Sequence, residues 1–215
     1  MSRKAYTAEE RDAIRMNMLR RSAEVFAEKG LRETSLEDIY LPEGISKTFF
    51  YSFFPSKAAL IIEMFHLQSE DMLGCFRTNV WNYGAENGLR TTLDDLLSGR
   101  WFIANFDDQT YIRTLLSDEE FAGFKNDRIV LFAEVLNLLG VPVSRLDPRV
   151  FYNMLMSIVW IGRTGKHSLP FLYGEAVDEA VDIQVDRLVE LVSGLRVDAV
   201  QRRFRKGCLS WMGMR

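Results

Sequence analysis

Few residues in this chain are suited to covalent or metal chemistry. Its 215 residues include two histidines and two cysteines. Cys75 and Cys208 are far apart and neither belongs to a CxxC pair, so no disulfide and no metal ligand set is expected of them. His66 falls among Met64, Phe65 and Leu67, and His167 lies between Lys166 and Ser168. A zinc site or a histidine-activated nucleophile has little to be built from. Nothing places a serine on the sharp turn that a hydrolase nucleophile needs. No enzyme, no metal and no cofactor is expected. The chemistry that stands out is non-covalent. The segment GISKTFFYSFFPSK, residues 44–57, packs five rings into six positions: Phe49, Phe50, Tyr51, Phe53 and Phe54. Lys47 and Lys57 stand at its two ends.

At about 100° per residue, the four phenylalanines of this segment share one side of a helix. Lys47, Thr48, Tyr51 and Ser52 share the other. The apolar side glues a short helix to its neighbours, which it needs because about eight residues do not hold a helix in water. The polar side carries one cation, three hydroxyls and no acid, which suits phosphates and base edges. An amphipathic core helix with no partner has the same pattern, so the neighbouring elements must decide.

Those elements read as helices. Thr7 and Glu10 form a capping box at the start of the first, and Gly30 ends it. Thr34 with Glu37 predicts a second box and a second, short helix, which Pro42 stops. Glu43-Gly44 turns the chain, and Ser46 is the N-cap of the third helix. Pro55-Ser56 ends it, and a fourth, long helix runs from about residue 57 to 83. Two short helices across a glycine turn, mounted on a longer first helix, make a helix-turn-helix.

The stretch from Val25 to Leu60 resembles the DNA-binding region of the TetR/AcrR family of bacterial transcriptional regulators. The resemblance rests on Phe26, Gly30, Thr34-Ser35, Asp38-Ile39, Gly44-Ile45-Ser46, Tyr51, Phe54 and the PSKAAL opening of the fourth helix. It implies an all-α protein with a three-helix DNA-binding domain over residues 1–56. A helical ligand-binding and dimerisation domain would occupy 57–200, followed by a basic tail, 201–215. It also implies a homodimer on a palindromic double-stranded DNA operator, acting as a repressor and released by a small apolar or aromatic effector. Lys47, Thr48 and Phe49 would then lie near bases, with Ser46 and Ser52 on the same helix. Tyr51, Thr34, Ser35 and Lys57 would meet phosphates. Four residues depart from the family pattern: Pro42-Glu43 before the turn, Thr48 for a common glycine, and Phe49 for a small residue. The departures at Pro42-Glu43 and Phe49 support an alternative, a helical ligand- or partner-binding protein of the same fold that has lost specific DNA recognition.

Beyond residue 83 the pattern predicts helices over about 88–105, 108–116, 118–140, 147–165 and 173–195. The helix from Asp147-Pro148 is apolar nearly all round and must be covered on more than one side. Val177, Val181, Val185, Leu188, Val192 and Leu195 trace a bundle seam on the last helix. One intrachain core explains part of that seam, and the resemblance adds a dimer interface. Trp81, Trp101, Phe102, Phe106, Tyr111, Phe124, Met154 and Trp160 are the expected lining of the effector cavity, because ligand cavities are mostly apolar.

Composition suits a chain with a real core, and charge alone does not identify a partner. Hydrophobic residues make up 47% of the chain and the net charge is −3. Residues 1–60 hold ten basic and nine acidic residues, a slight local excess of positive charge. The longest apolar run, 150–162, is too short to span a bilayer, which takes about 20 residues. The N-terminus lacks the apolar core of a signal peptide, so a cytoplasmic location without membrane contact is expected.

Overall fold

The structure, a computed structural model, describes residues 6–164 and 172–197. Among them every regular element is helical: α1 Ala8–Lys29, α2 Glu37–Tyr40, α3 Lys47–Phe50, α4 Lys57–Leu97, α5 Phe106–Leu115, α6 Asp118–Leu139, α7 Pro148–Thr164 and α8 Val177–Leu195. A 3-10 turn, Gly174–Ala176, precedes α8. The all-α expectation holds. The predicted helix over 88–105 stops at Leu97, and residues 98–105 form a turn and an extended link. His167, Cys208 and the basic tail 201–215 lie outside the described residues.

The chain divides into two compact units. The first is Met1–Met72 with Gly99–Lys125, and the second is Leu73–Ser98 with Asn126–Arg215. The boundary expected at residue 56 therefore differs from the observed grouping. The reason is the core of the first unit. Leu19 and Phe26 of α1, Ile39 of α2, and Phe50 and Phe54 are buried together with Leu60, Met64 and Phe65 of α4. Phe102, Ala104, Ile112 and Leu116 complete the same core. The three-helix head thus shares its apolar interior with the first turns of α4 and with α5.

The second unit begins with a helical hairpin. α4 is broken at Gly84, where φ is 79° and ψ is 172°, a backbone shape that an L side chain would strain. The sequence-predicted end near residue 83 matches this break. The two limbs touch closely: a Cβ at Gly88 would stand 2.7 Å from the Val80 backbone. Asn79 Nδ2 donates across the limbs to Thr92 Oγ1 at 3.1 Å, and Thr92 passes its own proton to the Gly88 carbonyl at 2.9 Å. α7 packs on α8. α7 buries Phe151, Leu155, Met156, Ile158 and Val159 on one broad side, while Val150, Asn153 and Ser157 are exposed on the other, so the covering on more than one side expected from its composition is not seen among the described residues.

Candidate nucleic-acid interface

α3 is held in place by its own cap and its buried side. The Ser46 hydroxyl accepts from the Phe49 amide at 3.2 Å, as expected of an N-cap. The α-helical part covers four residues, shorter than the eight predicted. Tighter bonds extend it: Ser52 N donates to Phe49 O, and Phe53 N donates to Phe50 O. Ile45, Phe50 and Phe54 are buried. Ser46, Lys47, Thr48, Tyr51 and Ser52 are exposed. The predicted separation of the two sides is therefore realised.

Phe49 takes a different place. It is half-buried, its ring stacked on Tyr6 at 4.9 Å and edge-on to Phe53 at 5.1 Å. The Arg11 guanidinium covers both rings, 5.2 Å from Phe49 and 4.7 Å from Phe53. Arg11 Nη2 also donates to Ser52 Oγ at 3.4 Å. Arg11 brings a second cation beside the polar side of α3, and sequence reasoning missed it. Its only signal was a place on the non-apolar side of the first helix.

Glu43 is bound from α1, accepting from Asn17 Nδ2 at 3.2 Å. The departures at Glu43 and Phe49 are thus absorbed by partners within the head.

The loop from α1 into α2 bears on three expectations. Thr34 is 2% exposed, and its hydroxyl donates to the Gly30 carbonyl at 2.7 Å. The hydroxyl is thus buried and already donates within the chain. The capping box forms one residue later than predicted. Ser35 Oγ accepts from the Asp38 amide at 3.2 Å, and Asp38 accepts from the Ser35 amide and hydroxyl at 2.9 and 2.8 Å. Lys29, 2.7 Å from Asp38, together with Ser35 holds the Asp38 carboxyl down to about 2. Ser35 remains exposed.

Lys57 also has partners within the chain. Its ammonium donates to the Leu31 and Thr34 carbonyls at 2.5 and 2.6 Å. The Tyr111 hydroxyl stands 3.4 Å away, and the Tyr111 ring 5.0 Å away. An ammonium has three protons to donate. Lys57 therefore clamps the loop rather than facing outward. Asp108 joins this clamp. It is 5% exposed, accepts from the Leu31 amide at 2.8 Å, and also accepts from the Asn105 amide at 3.1 Å to cap α5.

The residues expected to line one effector cavity are divided between the units. Trp101, Phe102, Phe106, Tyr111 and Phe124 belong to the first, and Trp81, Met154 and Trp160 to the second. Trp81 is 88% exposed and Phe106 79%, so neither lines an enclosed cavity within its unit. Phe124 packs on Phe65 with ring centroids 5.5 Å apart. Tyr111 serves the Lys57 clamp. Met154 and Trp160 are half-buried on α7. Trp101 and Phe102 do line a cleft, but against α1 and α4 in the first unit. No group of three metal-ligating side chains gathers among the described residues, and no described helix is long and apolar enough to cross a membrane.

Comparison with known proteins agrees with the geometry of the head. Residues 18–64 match the sequence profile of the bacterial regulatory proteins, tetR family. No curated protein sequence matches the chain. The fold is similar to the crystal structure of a TetR-family transcriptional regulator from Pectobacterium atrosepticum. That chain is 20% identical, with 90% of this chain and 99% of that chain covered at a TM-score of 0.55. The helix-turn-helix head built on Ser46, Phe50 and Phe54 lies within the stretch, residues 18–64, that matches the bacterial regulatory proteins of the tetR family.

Proposed function

We propose that the protein is a dimeric transcriptional repressor that reads a palindromic operator with α3 and is released by a small, mainly apolar molecule. One observation carries this reading: the outward side of α3. Lys47, Thr48 and Tyr51 are exposed there, and their polar side-chain atoms make no hydrogen bond within the described residues. Lys47 and Thr48 take the bases, and Tyr51 takes a phosphate. Arg11 adds a cation beside them.

The dimer needs a different surface from the one the sequence pattern suggested. Val177, Val181, Val185, Leu188 and Val192 are each 7% exposed or less within their own chain, so that seam is already covered. The outward side of α8 still carries Ile183 at 55% and Leu191 at 37%, and Val150 of α7 is 49% exposed. These residues are the proposed contact between protomers, and a two-fold pair presents one reading helix to each half-site.

Selection of bound duplexes from a random library, followed by sedimentation, tests the reading. A palindromic consensus bound by a dimer is expected, and Ile183→Arg should yield a monomer that binds it weakly. A monomeric wild-type chain with full affinity, or selection that returns no consensus, would overturn it.

A further inference from the structure

The first unit contains a cleft of about 450 Å³ between α1, α4 and the link that follows α4. Its floor is formed by Leu19, Met64 and Phe102, which are 2%, 1% and 7% exposed. The space exists because α1 presents alanine, Ala23 and Ala27, at two positions one turn apart. The opposite wall is fixed by hydrogen bonds. Gln68 donates to the Phe102 carbonyl at 2.8 Å and accepts from the Phe102 amide at 3.0 Å. Trp101 Nε1 donates to Asp71 at 2.7 Å. The volume lies within the range of small-molecule sites, about 300–1,000 Å³, and the mixture of apolar floor and few polar groups is theirs too.

The charges around the cleft select the ligand. Arg20 and Arg100 are balanced by Glu24 and Asp71. An ion of either sign would be attracted by two of these groups and opposed by the other two. A neutral body with one hydroxyl meets no such conflict, since a hydroxyl donates to a carboxylate and accepts from a guanidinium.

We propose that this cleft binds an uncharged, mainly apolar molecule with a hydroxyl at one end, of the alkylphenol kind, and that binding loosens the loop at residues 30–34. The wall supplies the connection. Residues 101–102 lead within three positions to Asn105, the cap of α5. α5 then holds the loop through Asp108 on the Leu31 amide and through Tyr111 beside Lys57. A ligand that displaces the 101–102 wall displaces the base of that clamp. Only a ligand that favours the displaced state shifts the balance. The site gives the effector of the repressor reading a stated place, and rests on that reading for its consequence at DNA alone.

The test uses 4-hexylphenol as the probe, with the full chain and the variants Ala27→Trp and Ala23→Leu, which fill the cleft from α1. Ala27 is exposed, so a tryptophan there leaves the fold intact, which circular dichroism checks. Calorimetry should find one molecule per chain in the wild type and at least about tenfold weaker binding in both variants. Hydrogen exchange over residues 30–34 should quicken on binding in the wild type and stay unchanged in Ala27→Trp. No saturable binding, binding undiminished in both variants, or exchange at 30–34 that ignores the probe would each overturn the proposal. A chain that passes both measurements yet selects no duplex would support the cleft and overturn the repressor reading instead.

Discussion

The outward side of α3 and the loop from α1 to α2 lie in one unit and carry similar residues: a lysine, hydroxyls and few acids. They spend them differently. On α3, Lys47, Thr48 and the Tyr51 hydroxyl are exposed and make no hydrogen bond among the described residues. Around the loop, the Thr34 hydroxyl, the Ser35 hydroxyl and the Lys57 ammonium all donate to atoms of their own chain. Residue type alone does not mark a binding surface. A donor marks one when it is exposed and uncommitted, and a committed donor is scaffolding, since replacing its internal bond with an external one gains little.

The largest effect that tests this contrast comes from Lys57→Met. It keeps the aliphatic stem and removes the ammonium from two carbonyls. Stability should fall by about 3 kcal/mol, lowering Tm by roughly 6–12 °C. The salt dependence of DNA binding should keep its slope, because no phosphate contact is lost. A flatter slope with an unchanged Tm would place Lys57 on the DNA and erase the contrast.

Lys47→Ala should do the reverse. Tm stays within about 1 °C, as for an exposed position away from packing. Discrimination at one base position should fall by about 2 kcal/mol, read by competition among operator variants. Tyr51→Phe should cost less, about 1 kcal/mol, and equally on every sequence, because a phosphate bond carries no base information.

The smallest effect concerns Asp38. Its folded pKa is lowered from 3.8 to about 2, first by the bond from Lys29 and then by Ser35. A depressed carboxyl stabilises the fold above its unfolded pKa, and that contribution is lost as pH falls through the folded value. The Tm gap between wild type and Asp38→Asn should therefore be constant above about pH 4 and close between 3.8 and about 2. A gap that persists at pH 2 would show that the Lys29–Asp38–Ser35 cluster is not what anchors the start of α2.

Local rules located the ends of helices well. Thr7 and Glu10 form their box, with bonds of 3.1 and 2.9 Å, because both partners lie within one turn. Ser46 caps α3 for the same reason. Where two boxes with equal spacing competed, tertiary burial chose. Thr34 was drawn into the core, and Ser35 with Asp38 took the cap. Long-range commitments left no trace in the sequence. Nothing near Lys57 announces that Leu31, 26 positions earlier, accepts its proton, and nothing near Asp108 announces Leu31 across 77 positions. The α8 seam taught the same limit in apolar form: a stripe of valines requires a cover but does not say whose.

The first unit is discontinuous, interrupted by the hairpin 73–98 and finished by residue 125. On the ribosome this sets an order of events. Every residue of the DNA-reading unit has been synthesised before α7 and α8 exist, and units that complete first fold first. The head can close around Phe26, Phe54 and Phe102 while the helices proposed to pair protomers are still unmade. On the proposed dimer, nascent chains on one messenger would acquire their reading surface singly and meet a partner only later, after release of α8.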